Sequence, residues 1–175
     1  FLESRFRLLV QNPRKILKKH IQPNMTVLDL GCGTGYFTLE IVTLLYNKGK
    51  VIATDIQKGM LDILKQKIIN SDLQKQIQIH NNQENSLNLT EKVDFILAFY
   101  SFHEMKYIDN IISDLAKIST SETKILISEQ RFHVSKYMFN SIIQKLTNCG
   151  FEICERPWIF LSRTVIMKIN NQLTQ

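Results

Sequence analysis

Short apolar runs alternate with amphipathic stretches along most of this chain. In the amphipathic stretches, apolar residues recur every three or four positions, which is typical of helices that pack one face against a core. The apolar runs indicate five buried strands, at about 26–30, 51–54, 76–80, 93–98 and 124–128. Strands that alternate with helices of this length predict an α/β fold, in which a doubly wound, mostly parallel sheet carries helices on both faces.

The C-terminal part departs from this alternation. A last amphipathic helix ends at Gly150, and two apolar runs follow it at about 151–155 and 163–169. Because no helix separates these two runs, we expect the last two strands to pair antiparallel.

The first 22 residues differ from the rest in charge. They contain six basic residues and one acidic residue, whereas the remainder contains 16 basic and 15 acidic residues. Asn12 and Pro13 predict the start of a helix here, and Pro23 predicts its end. We therefore expect a basic helical segment at 1–22, able to serve as a lid, and a single domain at 23–175. The basic face is either solvated or a contact for an acidic substrate, a membrane surface or nucleic acid.

The turn after the first strand carries the most specific signal in the chain. Gly31, Gly33 and Gly35 stand at alternate positions, which suits a backbone that passes close to a ligand. The dinucleotide fingerprint would need a third glycine where Tyr36 stands, and the Gly-Lys-Ser/Thr of a phosphate loop is absent. Asp29, just before the glycines, would repel a pyrophosphate and suits a ligand that carries positive charge.

A second acid follows at the end of the next strand. Asp55 lies 20 residues beyond Gly35, a position from which a carboxylate can accept hydrogen bonds from ribose hydroxyls. Ile56, next to it, can pack on the face of an adenine ring. The two strand ends together indicate a site for a nucleoside.

These segments resemble class I S-adenosylmethionine-dependent methyltransferases. The sequence VLDLGCGTG at 27–35 is close to the commonest form of that family's first motif, and Asp55 matches the second. The run 93–99 resembles the fourth strand, and Ser101-Phe102-His103-Glu104 is similar to the type 11, ubiquinone-methyltransferase-like branch. The resemblance covers about residues 12–170, and it implies a Rossmann-like, seven-stranded sheet with the last strand reversed.

The resemblance also implies the cofactor, S-adenosylmethionine, and the product S-adenosylhomocysteine. Asn82 stands where many members have an aspartate that accepts from the adenine amino group, and an amide oxygen can accept the same bond. Cys32 is the common residue at its position and packs as a small side chain. The residues implied to bind the cofactor are Asp29, Gly31, Cys32, Gly33, Gly35, Asp55, Ile56, Asn82, Gln83 and Phe99.

Other residues after the fourth and fifth strands are candidates for acceptor chemistry. His103 is a candidate general base because imidazole titrates near neutrality, although it can equally pack or cap the next helix. Tyr36, Tyr100 and Arg131 are candidates for contact with the substrate. Methyl transfer from a sulfonium needs alignment and desolvation more than a strong catalyst, so the base can be weakly marked.

The predicted function is therefore methyl transfer from S-adenosylmethionine to a small molecule. An alternative is a nucleic-acid methyltransferase that uses segment 1–22, although the Asn/Asp-Pro-Pro signature is absent where Phe99-Tyr100-Ser101 stands. A second alternative is a cofactor-binding protein without transfer activity. It stays open because Asn82 departs from the family pattern, and because Ser119-Thr120-Ser121 stands where Pro-Gly-Gly is usual.

Length and composition agree with this prediction. A chain of 175 residues favours one domain. No apolar run approaches the ~18 residues that span a bilayer, and no secretory signal pattern is visible. Three cysteines, an odd number without metal-ligand spacing, favour a reducing cytoplasm and predict no metal.

Overall fold

The structure is a computed structural model, and it describes residues 11–170. Seven strands form one sheet in the order β3-β2-β1-β4-β5-β7-β6. The pairs β1–β2, β1–β4, β2–β3 and β4–β5 are parallel, whereas β7 runs antiparallel to both β5 and β6. The strands are β1 (Thr26–Leu30), β2 (Lys50–Asp55), β3 (Ile77–Asn81), β4 (Phe95–Phe99), β5 (Lys124–Gln130), β6 (Phe151–Glu155) and β7 (Ser162–Ile169).

Helices cover both faces of this sheet. They are α1 (Pro13–Leu17), α2 (Tyr36–Leu44), α3 (Lys58–Ile68), α4 (Ile108–Ile118) and α5 (Lys136–Asn148), with short 3₁₀ turns at Asp72–Lys75 and Phe102–Glu104. Side chains alternate between the faces along each strand. On β1, Val27 packs with α1, α2 and α3, while Leu28 packs with α4 and α5.

The predicted architecture is confirmed, including the reversed last strand. The element that differs most from the prediction is the N-terminal helix, which ends at Leu17 rather than near Pro23. The amides of His20 and Ile21 both donate to the Leu17 carbonyl, at 2.8 and 3.0 Å, and close the helix with a turn. This turn buries Ile21 and directs the chain into β1, and Pro23 disfavours helical backbone in the residue before it. Residues 1–10 of the predicted basic segment lie outside the described residues.

The sheet sets the location of the site. In a parallel sheet all the carboxyl ends of the strands meet at one edge, and ligands bind beyond that edge where the strand order reverses. Here the reversal lies between β1 and β4. The glycine turn after β1, the acid at the end of β2 and the segment after β4 therefore meet there.

Candidate functional site

The glycine turn is fixed to the end of β2 by backbone hydrogen bonds. The amides of Gly31 and Cys32 both donate to the Thr54 carbonyl at 2.9 Å. The Gly33 amide donates to Oδ2 of Asp55, also at 2.9 Å. Two neighbouring strand ends are thereby joined into one rigid corner.

Gly31 makes the close backbone approach that the spacing predicts. Its φ of +72° lies in the left-handed region, and a Cβ at this position would lie 2.8 Å from the Cβ of Ser101. Ser101 itself is buried, and its hydroxyl has no hydrogen-bond partner among the described residues. The unpaired Ser101 hydroxyl therefore lies directly beside the Gly31 backbone, which carries no side chain of its own. A ligand with polar groups can hydrogen-bond to this hydroxyl.

Asp55 and Ile56 form the next part of the corner. Oδ1 of Asp55 accepts from the Gln57 amide at 2.8 Å, so both carboxylate oxygens are oriented by backbone N–H groups. Asn81 secures the same turn, because its side-chain amide donates to the carbonyls of Asp55 and Ile56 at 2.8 and 3.1 Å. Ile56 is 48% exposed although it is apolar, and it forms part of the cleft wall.

A cleft with about 680 Å³ of empty space, part of it open to solvent, opens beside this corner. Five predicted residues line it: Gly31, Asp55, Ile56, Asn82 and Tyr100. The side-chain amide of Asn82 donates to the Gln83 carbonyl at 3.0 Å, which leaves its oxygen as an acceptor. The other lining residues are Leu30, Gln57, Glu84, Ser101, Glu104, Met105, Lys106 and Ile111.

Sequence reasoning missed several of these lining residues. Ser101 and Glu104 belong to the segment that carries the family resemblance, in which the sequence indicates only His103 as a candidate. Glu84 lines the cleft where Gln83 was expected. Met105 and Lys106 carry no motif, and only the path of the loop between β4 and α4 brings them to the cleft.

Asp29 lies beneath the glycine turn and is not part of the cleft wall. Its side chain is buried, and the Thr38 hydroxyl donates to Oδ2 at 2.6 Å. The pKa of Asp29 is raised to about 7, mainly by burial; the hydrogen bond from Thr38 opposes the shift, and the nearby Asp55 adds to it. At neutral pH this carboxyl group is therefore close to its midpoint of titration.

Cys32 and Phe99 are packing residues in this structure. Burial raises the pKa of the Cys32 thiol, so the thiolate needed by a nucleophile is not populated at neutral pH. The Phe99 ring lies 4.4 Å from those of Phe37 and Tyr100, inside the core. Neither side chain lines the cleft.

His103 forms a pair with a buried carboxylate that the sequence did not connect to it. Its Nδ1 lies 2.7 Å from Oε2 of Glu129, and its backbone amide donates to Oε1 at 3.2 Å. Glu129 is fully buried at the end of β5, and burial raises its pKa, whereas His103 opposes that shift. A second carboxylate, of Glu104, lies 3.7 Å from Nε2 of His103.

Tyr100 and Tyr36 connect the cleft to the N-terminal residues. The Gln11 side-chain amide donates to the Tyr100 hydroxyl, and the Tyr36 hydroxyl donates to the Gln11 carbonyl at 3.2 Å. The Tyr100 hydroxyl also lies 2.5 Å from the Ser162 hydroxyl. Tyr100 has a φ of +61°, which turns the chain sharply where β4 ends.

Arg131 lies away from the cleft, in a second cavity between the β5–α5 and β6–β7 loops. Its Nε donates to the Ser162 carbonyl at 2.9 Å. Of the predicted acceptor residues, Tyr100 therefore lines the cleft and Arg131 lines the second cavity, whereas His103 and Tyr36 line neither.

Comparison with known proteins decides the family. A family model described as a methyltransferase domain matches residues 21–160. The chain belongs to that family. It is a class I S-adenosylmethionine-dependent methyltransferase domain, as the glycine turn and the sheet order indicate.

Two curated relatives and one solved structure are similar to this methyltransferase domain. The demethylmenaquinone methyltransferase of Lactobacillus johnsonii is 27% identical over 118 residues, 66% of this chain and 48% of that protein. The malonyl-[acyl-carrier protein] O-methyltransferase of Anoxybacillus flavithermus is 28% identical over 121 residues, 67% of this chain and 45% of that protein. The chain thus spans about half the length of these relatives. An S-adenosylmethionine-dependent methyltransferase from Aquifex aeolicus has the same fold, with a TM-score of 0.82, 24% identity and coverage of 94% of this chain and 93% of that one.

The cleft fits the cofactor of this family. A nucleoside needs a hydrogen-bond acceptor for its ribose hydroxyls, which Asp55 can supply. It also needs an apolar wall for its ring, such as Ile56, and an acceptor for its adenine amino group, such as the side-chain oxygen of Asn82. The bare backbone at Gly31 and the unpaired Ser101 hydroxyl suit the polar amino-acid end. Among residues 11–170 we find no helix long and apolar enough to cross a membrane.

Proposed function

We propose that this methyltransferase domain transfers a methyl group from S-adenosylmethionine to a small-molecule acceptor, with His103 as the general base. The observation that carries the proposal is the His103–Glu129 pair at the functional edge of the sheet. The names of the two curated relatives, which concern a quinone precursor and a malonyl thioester, support a small acceptor group.

Glu129 positions His103 for this role. An ionised Glu129 accepts from the Nδ1–H of His103 and from its backbone amide, which fixes both the tautomer and the ring orientation. Nε2 is then the unprotonated nitrogen, and it can remove a proton from an acceptor hydroxyl or activated carbon. The imidazolium that results lies between Glu129 and Glu104, and their carboxylates stabilise its charge.

The cofactor cleft, which His103 itself does not line, aligns the reactants and excludes water in this proposal. The bound cofactor supplies an electrophilic methyl group on sulfur, so this chain needs only to orient it and to accept the proton. Asp55, Ile56 and Asn82 hold the nucleoside end in this proposal, and Gly31 with Ser101 contacts the amino-acid end. Asp29 and Cys32 act from below the turn by supporting it.

The N-terminal segment is the proposed lid. Gln11 contacts both Tyr36 and Tyr100, and Tyr100 is part of the cleft wall. Gln11, the first of the described residues, therefore lies next to the wall of the cleft. A lid of this kind would exclude water from the reaction.

Binding of nucleic acid through segment 1–22 is the alternative. Within the described part of this segment, Arg14 is already paired with Glu40 at 3.1 Å, which reduces the positive charge available for phosphates. Association with RNA that weakens steeply with salt would favour this alternative.

The test of the proposal separates binding from transfer. Calorimetry with S-adenosylmethionine should show binding that Asp55→Ala largely removes. Formation of S-adenosylhomocysteine is then measured with a panel of phenols, hydroquinones and thioester-linked acids. His103→Gln and Glu129→Gln should lower kcat by about 10²–10³-fold and leave cofactor affinity unchanged. Undiminished transfer by His103→Gln would refute the base assignment, and binding without transfer to any acceptor would refute the activity.

A further inference from the structure

The second cavity has a composition unlike that of the cofactor cleft. It lies between the β5–α5 loop and the β6–β7 loop, and Phe139 and Thr164 line its inner part. Four cationic side chains surround it: Arg131, Lys136, Arg156 and Arg163. Among the described residues that line it, none is acidic. The cavity therefore has the charge of an anion site, and the proposed transfer reaction does not by itself require one.

Two of the arginines are held in place by backbone carbonyls. Nε of Arg131 donates to the Ser162 carbonyl at 2.9 Å. One terminal nitrogen of Arg163 donates to the carbonyls of Val134 and Arg131, at 3.2 and 3.3 Å. These bonds orient the guanidinium groups, and each keeps further N–H donors for a ligand. Within residues 11–170, none of the four cations forms an ion pair with a carboxylate.

An aromatic side chain stands beside these charges. Trp158 lines the cavity and is 78% exposed, and its ring lies 6.1 Å from that of Phe160. Phe132 in the β5–α5 loop and Tyr137 in the first turn of α5 are 82% and 84% exposed. Exposed aromatic rings beside unpaired arginines suit a ligand with a flat or apolar body and an anionic group.

The cavity lies next to the cofactor cleft. Tyr100 lines the cleft and Ser162 lines the second cavity, and their hydroxyls are 2.5 Å apart. A molecule in the second cavity is therefore separated from the cleft by one hydrogen-bonded pair.

We propose that the second cavity binds a phosphate or diphosphate group carried by the methyl acceptor. The arginine forks and Lys136 bind the oxyanion, and Trp158 packs against the apolar part of the molecule. A phosphate is favoured over a single carboxylate because four cations, with no acid among the described residues that line the cavity, match more than one negative charge. This inference rests on the proposed small-molecule transfer, since it names the class of acceptor.

The chain provides its own reporter, because Trp158 is its single tryptophan. We expect inorganic pyrophosphate and phenyl phosphate to change the tryptophan fluorescence saturably, and phenol at the same concentrations to leave it unchanged. Arg156→Ala should weaken pyrophosphate binding about tenfold, and Lys136→Ala by a smaller factor. The matched controls are Arg14→Ala and Lys75→Ala, which remove cations of the same type away from the cavity and should bind as wild type.

Further measurements on the same protein test whether the phosphate belongs to a soluble small molecule, a lipid or RNA. Trp158→Phe should abolish the fluorescence signal, while calorimetry still detects pyrophosphate at wild-type affinity. Binding only to vesicles that contain phosphatidylglycerol, without binding of soluble phosphates, would overturn the proposal in favour of a lipid surface. Binding only to an RNA oligonucleotide would overturn it in favour of nucleic acid.

The outcome is independent of the activity assay. If pyrophosphate binds to wild type and about tenfold more weakly to Arg156→Ala, the site stands even if no methyl transfer is detected, and only the proposed function fails. If transfer is detected, pyrophosphate should inhibit it competitively with the acceptor and not with S-adenosylmethionine. Equal pyrophosphate affinity in wild type, Arg156→Ala and Lys136→Ala would refute the site.

Discussion

The two cavities at the carboxyl edge of the sheet are built in different ways. In the cofactor cleft the positions are set by the backbone: Gly31 is hydrogen-bonded to Thr54, and Ser101 and Asn82 are buried. In the second cavity the chemistry is set by exposed side chains on two loops, such as Arg131 and Trp158. A site for a fixed ligand can be part of the fold, whereas a site for a variable ligand lies on loops that change without disturbing the core.

This difference between the two cavities predicts that substitutions around the cofactor cleft alter the stability of the domain, whereas substitutions in the loops of the second cavity do not. The largest effect should come from Asp29. Its pKa is raised from 3.8 to about 7, mainly by burial. Between pH 3.8 and pH 7, the Asp29 carboxyl group therefore keeps its proton in the folded state and loses it in the unfolded state. The free energy of unfolding should therefore fall as pH rises from about 3 to about 8, by roughly 4 kcal/mol.

Urea denaturation at a series of pH values measures this dependence. Asp29→Asn should flatten the profile and be more stable than wild type at pH 8, provided that Thr38 still donates to the amide oxygen. Asp62→Asn, an exposed position on α3, is the control and should retain the slope. An unchanged profile in Asp29→Asn would show that this carboxyl group does not titrate in the window.

Gly31→Ala should have the next largest effect. The added Cβ meets Ser101 at 2.8 Å in a left-handed backbone, so we expect a loss of about 3 kcal/mol in stability and loss of cofactor binding. Gly59→Ala is the control, since a Cβ there meets nothing within 4 Å. Thermal denaturation and calorimetry compare the two, and equal effects would contradict the close approach.

Ser101→Ala tests the buried hydroxyl that has no partner. Removing an unsatisfied polar group should stabilise the cofactor-free domain by about 1 kcal/mol, and it should weaken S-adenosylmethionine binding about fivefold to tenfold. Ser119→Ala is the control and should change stability in the opposite direction. The Ser119 hydroxyl donates to the Leu115 carbonyl at 2.7 Å, so the loss of this hydrogen bond should destabilise the domain. A loss of stability in Ser101→Ala would mean that its hydroxyl is already satisfied.

Phe132→Ala should have the smallest effect. Its ring is 82% exposed, so the free energy of unfolding should change by less than about 0.5 kcal/mol. Cofactor binding should be unchanged in calorimetry. A destabilisation above about 1 kcal/mol would show that the β5–α5 loop is as tightly packed as the glycine turn, and the contrast between the cavities would fail.

The same contrast explains what the sequence was able to predict. The order of strands and helices and the reversed last strand follow from local apolar patterns and from the family resemblance. Gly31, Asp55 and Ile56 follow from spacing, and Asn82 follows from the family resemblance. The His103–Glu129 pair was not predicted, because 26 residues separate its members and only the pairing of β4 with β5 brings them together. Asp29 was expected to face the ligand, but its contact with Thr38 depends on which side of β1 faces α2.

The position of β7 between β5 and β6 has a consequence for synthesis of the chain. Strand β6 leaves the ribosome before β7, yet among the described strands it pairs only with β7. The open edge of β5 therefore stays unpaired until the last strand is made, while the strands that bear the glycine turn can already associate. Strands β1 to β4, which bear the cofactor cleft, can therefore be assembled before the second cavity is complete. Truncation after Glu155 would leave β5 and β6 without their shared partner β7, and these unpaired edges would favour aggregation.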